Sequence, residues 1–447
     1  MSIAALGMLA ASAWAESPDA GAAVETNLRL RADGTWLDFR DGTVLSAWAT
    51  SSPTRSVKAR ADVDFRLHNL PEFATLDGAS DPATSQPWSL RFRDAWVRAA
   101  AGDVALRVGT QRVAWGVGTG ISLLDNVNPW DLENPTRFDR RLSVPAAHLT
   151  AIQGNLSAEA AWTPFFVPGA LPADGVSLTA GAADVFSADD FGGEGDVELN
   201  ELQTRVTMPA GAVTSSSVGG RLRWSGAAAD VAVSWYRGRD TLPQVDGEVL
   251  LTGFQTDTNR VDVGVPLVYP RVDIGGLEVK GELFADISAW GELAVVLSER
   301  TTAAPSATQL QSLLTLGTID AIPDPIPQTI TQDGEPYLKW LLGLDRSFGP
   351  VYVNAQWLHG FPTERQAAEV NDYGLLAVRY TIRPMLRLDA NAASDLAGYL
   401  AGGQLSYLYG DAVVLSAGYV SIGGEEGSAL YGFRGVSHGT VSAQMTF

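Results

Sequence analysis

Cysteine is absent from the 447 residues, which excludes a disulfide scaffold, thiol catalysis and Cys-ligated zinc or iron–sulfur centres. Histidine is scarce: His68, His148, His359 and His438 are scattered without ligand spacing, so no metal site is expected among them. Lysine occurs only at 58, 280 and 339, which leaves the positive charge almost wholly to guanidinium groups. Bases number 31 against 51 acids, a net charge of −20, and no basic footprint for a nucleic-acid partner is present. After Ala15 no apolar run approaches the roughly 20 residues of a spanning helix, which excludes a helical membrane bundle. No H-E-x-x-H pair occurs, and Gly116-Val117-Gly118-Thr119-Gly120 lacks the spacing of a dinucleotide loop. The sequence calls for no enzyme activity and no cofactor.

What remains is a chain that is 46% apolar, with 46 Gly and 13 Trp. Its first fifteen residues pair an apolar run, Ile3–Ala11, with Ala13-Trp14-Ala15, a small-x-small cleavage pattern. That reads as a signal peptide over 1–15, although no Lys or Arg precedes the run. Residues 16–447 then form the mature chain, with no linker that would split it into domains.

Period-two alternation recurs from end to end. In Val57–Leu67 every odd position is apolar and every even one charged, which gives a strand one oily wall and one ionic wall. Asn27–Arg31, Asp103–Gln111, Ser217–Trp224, Val351–Trp357 and Pro384–Asn391 read alike. Trp36, Trp88, Trp115, Trp162, Trp224, Trp235, Trp340, Trp357, Tyr380 and Tyr419 lie at or near strand ends, where rings collect at membrane–water boundaries. A soluble sandwich or propeller shares the alternation. The export signal and the last strand, Gly439–Phe447, favour an all-β transmembrane antiparallel barrel with long outer loops. Val441, Ala443, Met445 and Phe447 share one face of that strand, and its terminal Phe resembles the sorting signal read by the outer-membrane assembly machinery. At about 25 residues per strand and connection, some 16 strands are expected, with 14 or 18 as alternatives. The expected location is the outer membrane of a Gram-negative bacterium, in contact with its lipid, and an oligomer is possible.

The inner wall should carry the chemistry. Leu90 and Phe92 share the apolar face with Val104, Leu106 and Val108 across a turn near Gly102, which leaves Arg91, Arg93, Arg107 and Gln111 inward. Lys58, Arg60, Asp62, Asp64 and Arg66 of the third strand join them, with Arg221 and Arg223. Asp94 breaks the alternation, and either a bulge or a place at the lipid interface would accommodate it. Of the long connections, Val117–Val144 offers Asp125, Asn128, Asp131, Arg137, Arg140 and Arg141 as a loop that folds inward and narrows the bore. The alternative is that Asp and Asn there build turns and Arg ties the loop down. Pro168–Asn200 holds seven acids and no base, and its Asp189–Asp196 run lacks EF-hand spacing, so it reads as a solvated loop. Thr301–Pro336 is Pro-rich, with a short amphipathic helix expected at Ser306–Leu316.

The stretch Leu106-Arg107-Val108-Gly109-Thr110-Gln111-Arg112-Val113-Ala114-Trp115-Gly116, followed by Leu124-Asp125-Asn126-Val127-Asn128-Pro129-Trp130-Asp131-Leu132, resembles a family of Gram-negative outer-membrane proteins of unknown function. Trp162–Pro172 matches a further element of that pattern. More distantly, the stretch is similar to alginate-export and phosphate-selective porins. The resemblance implies a porin-like barrel and specifies no substrate. The reading that follows is a channel for small hydrophilic solutes. A component of lipid or hydrophobic-compound handling with periplasmic partners, and a structural barrel plugged by its loops, are the alternatives.

Overall fold

The computed structural model describes residues 19–447 except 38–40, 68–87, 135, 172–197, 212, 256–259, 285, 307–329, 333, 426–427 and 429. The signal segment, most of the acidic Pro168–Asn200 connection and the Ser306–Leu316 helix therefore lie outside the described residues, apart from Ser306.

The described strands are, in chain order, β1 (Asp19–Leu30), β2 (Thr43–Thr54), β3 (Val57–Leu67), β4 (Trp88–Ala101), β5 (Val104–Gln111), β6 (Val144–Gln153), β7 (Leu156–Thr163), β8 (Glu198–Val206), β9 (Ser217–Ser225) and β10 (Ala229–Arg239). They continue with β11 (Gln244–Val245), β12 (Gly247–Gln255), β13 (Arg260–Val268), β14 (Arg271–Glu282), β15 (Ser288–Ser298), β16 (Thr301–Pro305) and β17 (Ile330–Gln332). The last are β18 (Tyr337–Phe348), β19 (Val351–His359), β20 (Asp372–Arg383), β21 (Leu386–Ser394), β22 (Gly398–Tyr409), β23 (Val413–Gly424) and β24 (His438–Thr446). Eighteen of them form one antiparallel sheet in which each strand pairs with its neighbour in the chain. Pairing of β1 with β24, from Ala23↔Thr446 to Leu30↔Gly439, closes the ring and removes every free edge. The count is 18 rather than about 16, a difference within the averaging error of a single length per strand. The six other strands, β8, β11, β12, β13, β16 and β17, build a separate sheet from three long connections.

Connections alternate in length. Those after β2, β4, β6, β9, β14, β18, β20 and β22 are short, and Gly102, Gly154, Gly349 and Gly410 turn four of them at φ 57–61°, a region closed to most side chains. Nearly all the other connections are long and emerge at the opposite end, an asymmetry typical of transmembrane barrels. Both described chain ends lie at the short-turn end.

Burial is inverted relative to a soluble protein. Leu28, Leu90, Phe92, Leu106, Val108, Leu222, Val233, Leu277, Leu342, Leu405 and Leu415 are all exposed on the outer wall. Such a continuous apolar exterior is stable only against acyl chains. Trp88, Trp162, Trp235 and Trp357 ring it near the long-loop end, and Trp224, Tyr380 and Tyr407 near the short-turn end. Trp115 departs from this pattern: it is buried in the β5–β6 connection and donates its indole N–H to Glu159. Among the described residues no helix is long and apolar enough to cross a membrane. The chain is thus an all-β barrel of the kind that spans the outer membrane.

The Asp94 conflict resolves as a bulge. Asp62 pairs with Asp94 and Val63 with Phe92, so Arg93 is the extra residue in β4. Below it the face inverts, which turns Asp94 inward and returns Val97 to the exposed outer wall.

Candidate functional site: the bore and the loop that crosses it

Residues 112–143 leave β5, enter the barrel and return to β6. Gly116 makes the entry turn at φ 91°, and a Cβ there would meet Ser122 Oγ and Glu292 Oε1. The buried Glu292 carboxylate of β15 accepts the N–H groups of Val117 and Gly118, both at 2.6 Å, and of Leu123 at 2.7 Å, while the Ser122 hydroxyl donates to it at 3.1 Å. Four donors on one carboxylate fix the loop to a wall six strands away from its origin. Gln356 of β19 adds a bond to the Thr119 carbonyl at 2.8 Å. Ile121, Leu123 and Leu124 pack with Ala294, Val296, Leu341, Leu358 and Tyr373 of that wall. The loop therefore spans the bore, and a buried apolar cluster lies within the barrel.

The other side of the loop is held by charge. Arg66 of β3 donates to Glu133 at 2.6 Å, and Arg91 of β4 donates to Asp131 at 3.0 Å and to Glu133 at 2.7 Å. Asp41, from the β1–β2 loop, accepts from Arg29 at 2.6 and 3.1 Å and from Arg140 at 3.2 Å. Burial would raise the Asp41 pKa, but Arg29 and then Arg140 outweigh it and hold this carboxyl below its ordinary value. Asp125 behaves differently. Burial pushes it up despite Arg141 and Arg112, because Arg141 Nε is 4.0 Å away and Oδ1 has no hydrogen-bond partner among the described residues. Burial likewise lowers Arg141, to about 10, so it stays charged at neutral pH; its guanidinium lies 3.0 Å over the Trp130 ring. Asn128 is fully buried, with Oδ1 accepting from Val113 N–H and Nδ2 donating to the Leu142 carbonyl, both at 2.8 Å. Arg137 pairs with Asp139 at the exposed tip.

On the wall itself Arg93 donates to Asp62 at 2.8 Å and lies 3.1 Å from Asp64, while Arg60 reaches Asp62 at 3.0 Å and Asp94 at 3.4 Å. Lys58 is exposed on the same face, opposite Arg98 in the register. A second network crosses β5, β6, β7, β9 and β14. Arg107 donates to Gln111 and to His148 Nδ1, and His148 Nε2 meets Glu159 at 2.9 Å. Because guanidinium only donates, the His148 proton is assigned to Nε2. Arg221 joins Glu159 at 3.0 Å and Glu278, and Arg223 pairs with Asp230 near the short-turn rim.

Six acids of the loop-facing group are covered, while Asp139 at the tip is 45% exposed. The side chains of Asp41, Asp62, Asp64, Asp125, Asp131 and Glu133 are 3–8% exposed, whereas those of Arg91, Arg93, Arg112 and Arg140 are 26–47% exposed. A cavity of about 320 Å³ opens between them, lined by Arg66, Arg91, Arg93, Arg112, Arg140 and Arg141 with Glu25, Ser46 and Asp139. Sequence reasoning did not single out Asp41, Glu159, Glu278 or Glu292. The last three occupy inward positions that alternation marks, but the distance along the chain to their partners gives no signal.

No family model matches the chain, and no curated protein matches it. Among solved structures, it is similar to Acinetobacter baumannii OccAB4, with 10% identity, TM-score 0.48 and coverage of 97% of this chain and 98% of that one. Pseudomonas aeruginosa OccK9 (OpdG) is similar at 10% identity and TM-score 0.48, covering 96% and 98%. Salmonella typhi OmpF, in complex with daunomycin, follows at 8% identity and TM-score 0.42, covering 96% and 97%. Identities this low carry no residue across from those proteins to this chain.

Proposed function

We propose that the barrel is an outer-membrane channel for small hydrophilic solutes, narrowed by the 112–143 loop and lined at that level by guanidinium groups. The carrying observation is the unequal exposure of the two charge signs. Six covered carboxylates hold the arginines from beneath, so a solute beside the loop meets Arg91, Arg93, Arg112 and Arg140, with Asp139 as the exposed acid among them. Fixed cations in a confined, partly desolvated space lower the barrier for anionic or strongly dipolar solutes. In this reading Lys58, Arg60, Arg107, Arg221 and Arg223 line the bore further along, Asp62 and Asp64 orient its arginines, and Gln111, expected on the bore surface, is instead fully buried and braces Arg107 from behind. No catalytic step belongs to this constellation, and Phe447 serves as the recognition residue for barrel assembly.

The test is the reversal potential across a planar bilayer under a tenfold KCl gradient. An anion preference is expected from a chain of net charge −20, and Arg93→Gln with Arg112→Gln should reduce it severalfold. Cation preference would refute the arginine-lined bore. The packing of Ile121, Leu123 and Leu124 on the far wall favours a second reading, a bore closed by its loop. That reading predicts no current at all.

A further inference from the structure

On the outside of the barrel, β10 alternates apolar residues outward, with Val233 and Trp235 exposed, and the same alternation carries Arg237 and Arg239 onto that face. Arg239 faces Arg271 in the register of β14, and the three arginines line a recess of about 200 Å³ with Thr214, Ser215 and Ser216. No acid lines it. The nearby carboxylates are Asp273, 3.9 Å from Arg237 with both side chains exposed, and Glu299, which accepts the Arg271 backbone N–H at 3.0 Å. Arg239 donates Nη1 to the Tyr269 carbonyl, and Arg271 donates Nη2 to the Thr214 carbonyl at 3.4 Å. Arg239 Nε is buried with no acceptor among the described residues.

A charge on the lipid-facing wall is costly at mid-bilayer and tolerated at the interface. These arginines lie just beyond the Trp235 girdle, at the long-loop end, where lipid headgroups sit. Guanidinium forks match phosphate oxygens, and the side chains of Arg237 and Arg271 meet at a recess that no described acid lines. We infer that this recess binds the phosphate of a membrane-lipid headgroup, independently of what passes through the bore.

To test this, the full chain in detergent micelles is titrated with diphosphoryl lipid A, and native mass spectrometry reads the bound lipid. Parallel arms use the dephosphorylated lipid and inorganic phosphate. Saturable binding is expected, weakened about tenfold by Arg237→Gln with Arg271→Gln and to a similar degree by removal of the lipid phosphates. Conductance should not change, since the residues lie outside the wall. Equal affinity in the variant, equal binding of the dephosphorylated lipid, or equally tight binding of inorganic phosphate would overturn the proposal. Should the double variant fail to fold, Arg237→Gln alone, at an exposed side chain, decides by the same criterion.

Discussion

At the scale of single residues, the barrel interior is organised by buried carboxylates paired with arginines. Arg66 is as buried as its partner Glu133. Glu133→Ala would strand that guanidinium, and an uncompensated buried charge costs on the order of 3 kcal/mol. A lower thermal unfolding midpoint, read by circular dichroism, is expected, with partial recovery in Glu133→Asp. An unchanged midpoint would remove the pair from the set of contacts that hold the loop. Asp41 sets a pH limit. Its folded-state pKa lies below the ordinary 3.8, so its contribution is fully present above that value and is lost as pH falls through the depressed one. Conductance should therefore be insensitive to this group from pH 7 to about 4, while Asp41→Asn should show the acidic behaviour already at pH 7. A transition at pH 5–6 that Asp41→Asn abolishes would contradict this assignment. The inward arginines at 91, 93 and 107 were legible from alternation, because side-chain direction in a strand follows from position alone. Their partners were not. Asp131 and Glu133 meet Arg91 across some forty residues of chain, and only the path of the loop brings them there.

At the scale of elements, the 112–143 loop is a built part of the barrel interior. The Arg107–Gly116 and Asp125–Asp131 residues that carry the family resemblance largely shape it: Gly116 makes room for Glu292, Gln111 braces Arg107, and Asn128 clamps the two legs. A motif legible in sequence thus reports loop architecture. The β4 bulge makes the complementary point. Asp94 exposed the break in alternation, but the choice between bulge and interface required the pairing with β3. Glu292→Ala removes four loop contacts at once. Higher and noisier current is expected, together with trypsin cleavage among Arg137, Arg140 and Arg141, while the barrel keeps its heat-dependent mobility on a gel. Cleavage at the rate of the unaltered chain would show that the apolar contacts alone hold the loop.

At the scale of the whole molecule, the balance of absences and alternation specified the class: no spanning helix, no disulfide, and strands with one oily and one ionic wall. Strand number was less legible, since it depends on how many residues the connections consume. Closure through β1 and β24 leaves the exterior apolar and the interior charged, and that division is the basis for reading the molecule as a conduit. The most direct measurement is single-channel current from the purified chain in a planar lipid bilayer with symmetric salt. Stable, ohmic steps that shrink when the guanidinium groups at 93 and 112 are replaced by larger uncharged side chains are the predicted result. A folded, inserted barrel that stays silent at every voltage would contradict the claim that water and solutes cross beside the loop.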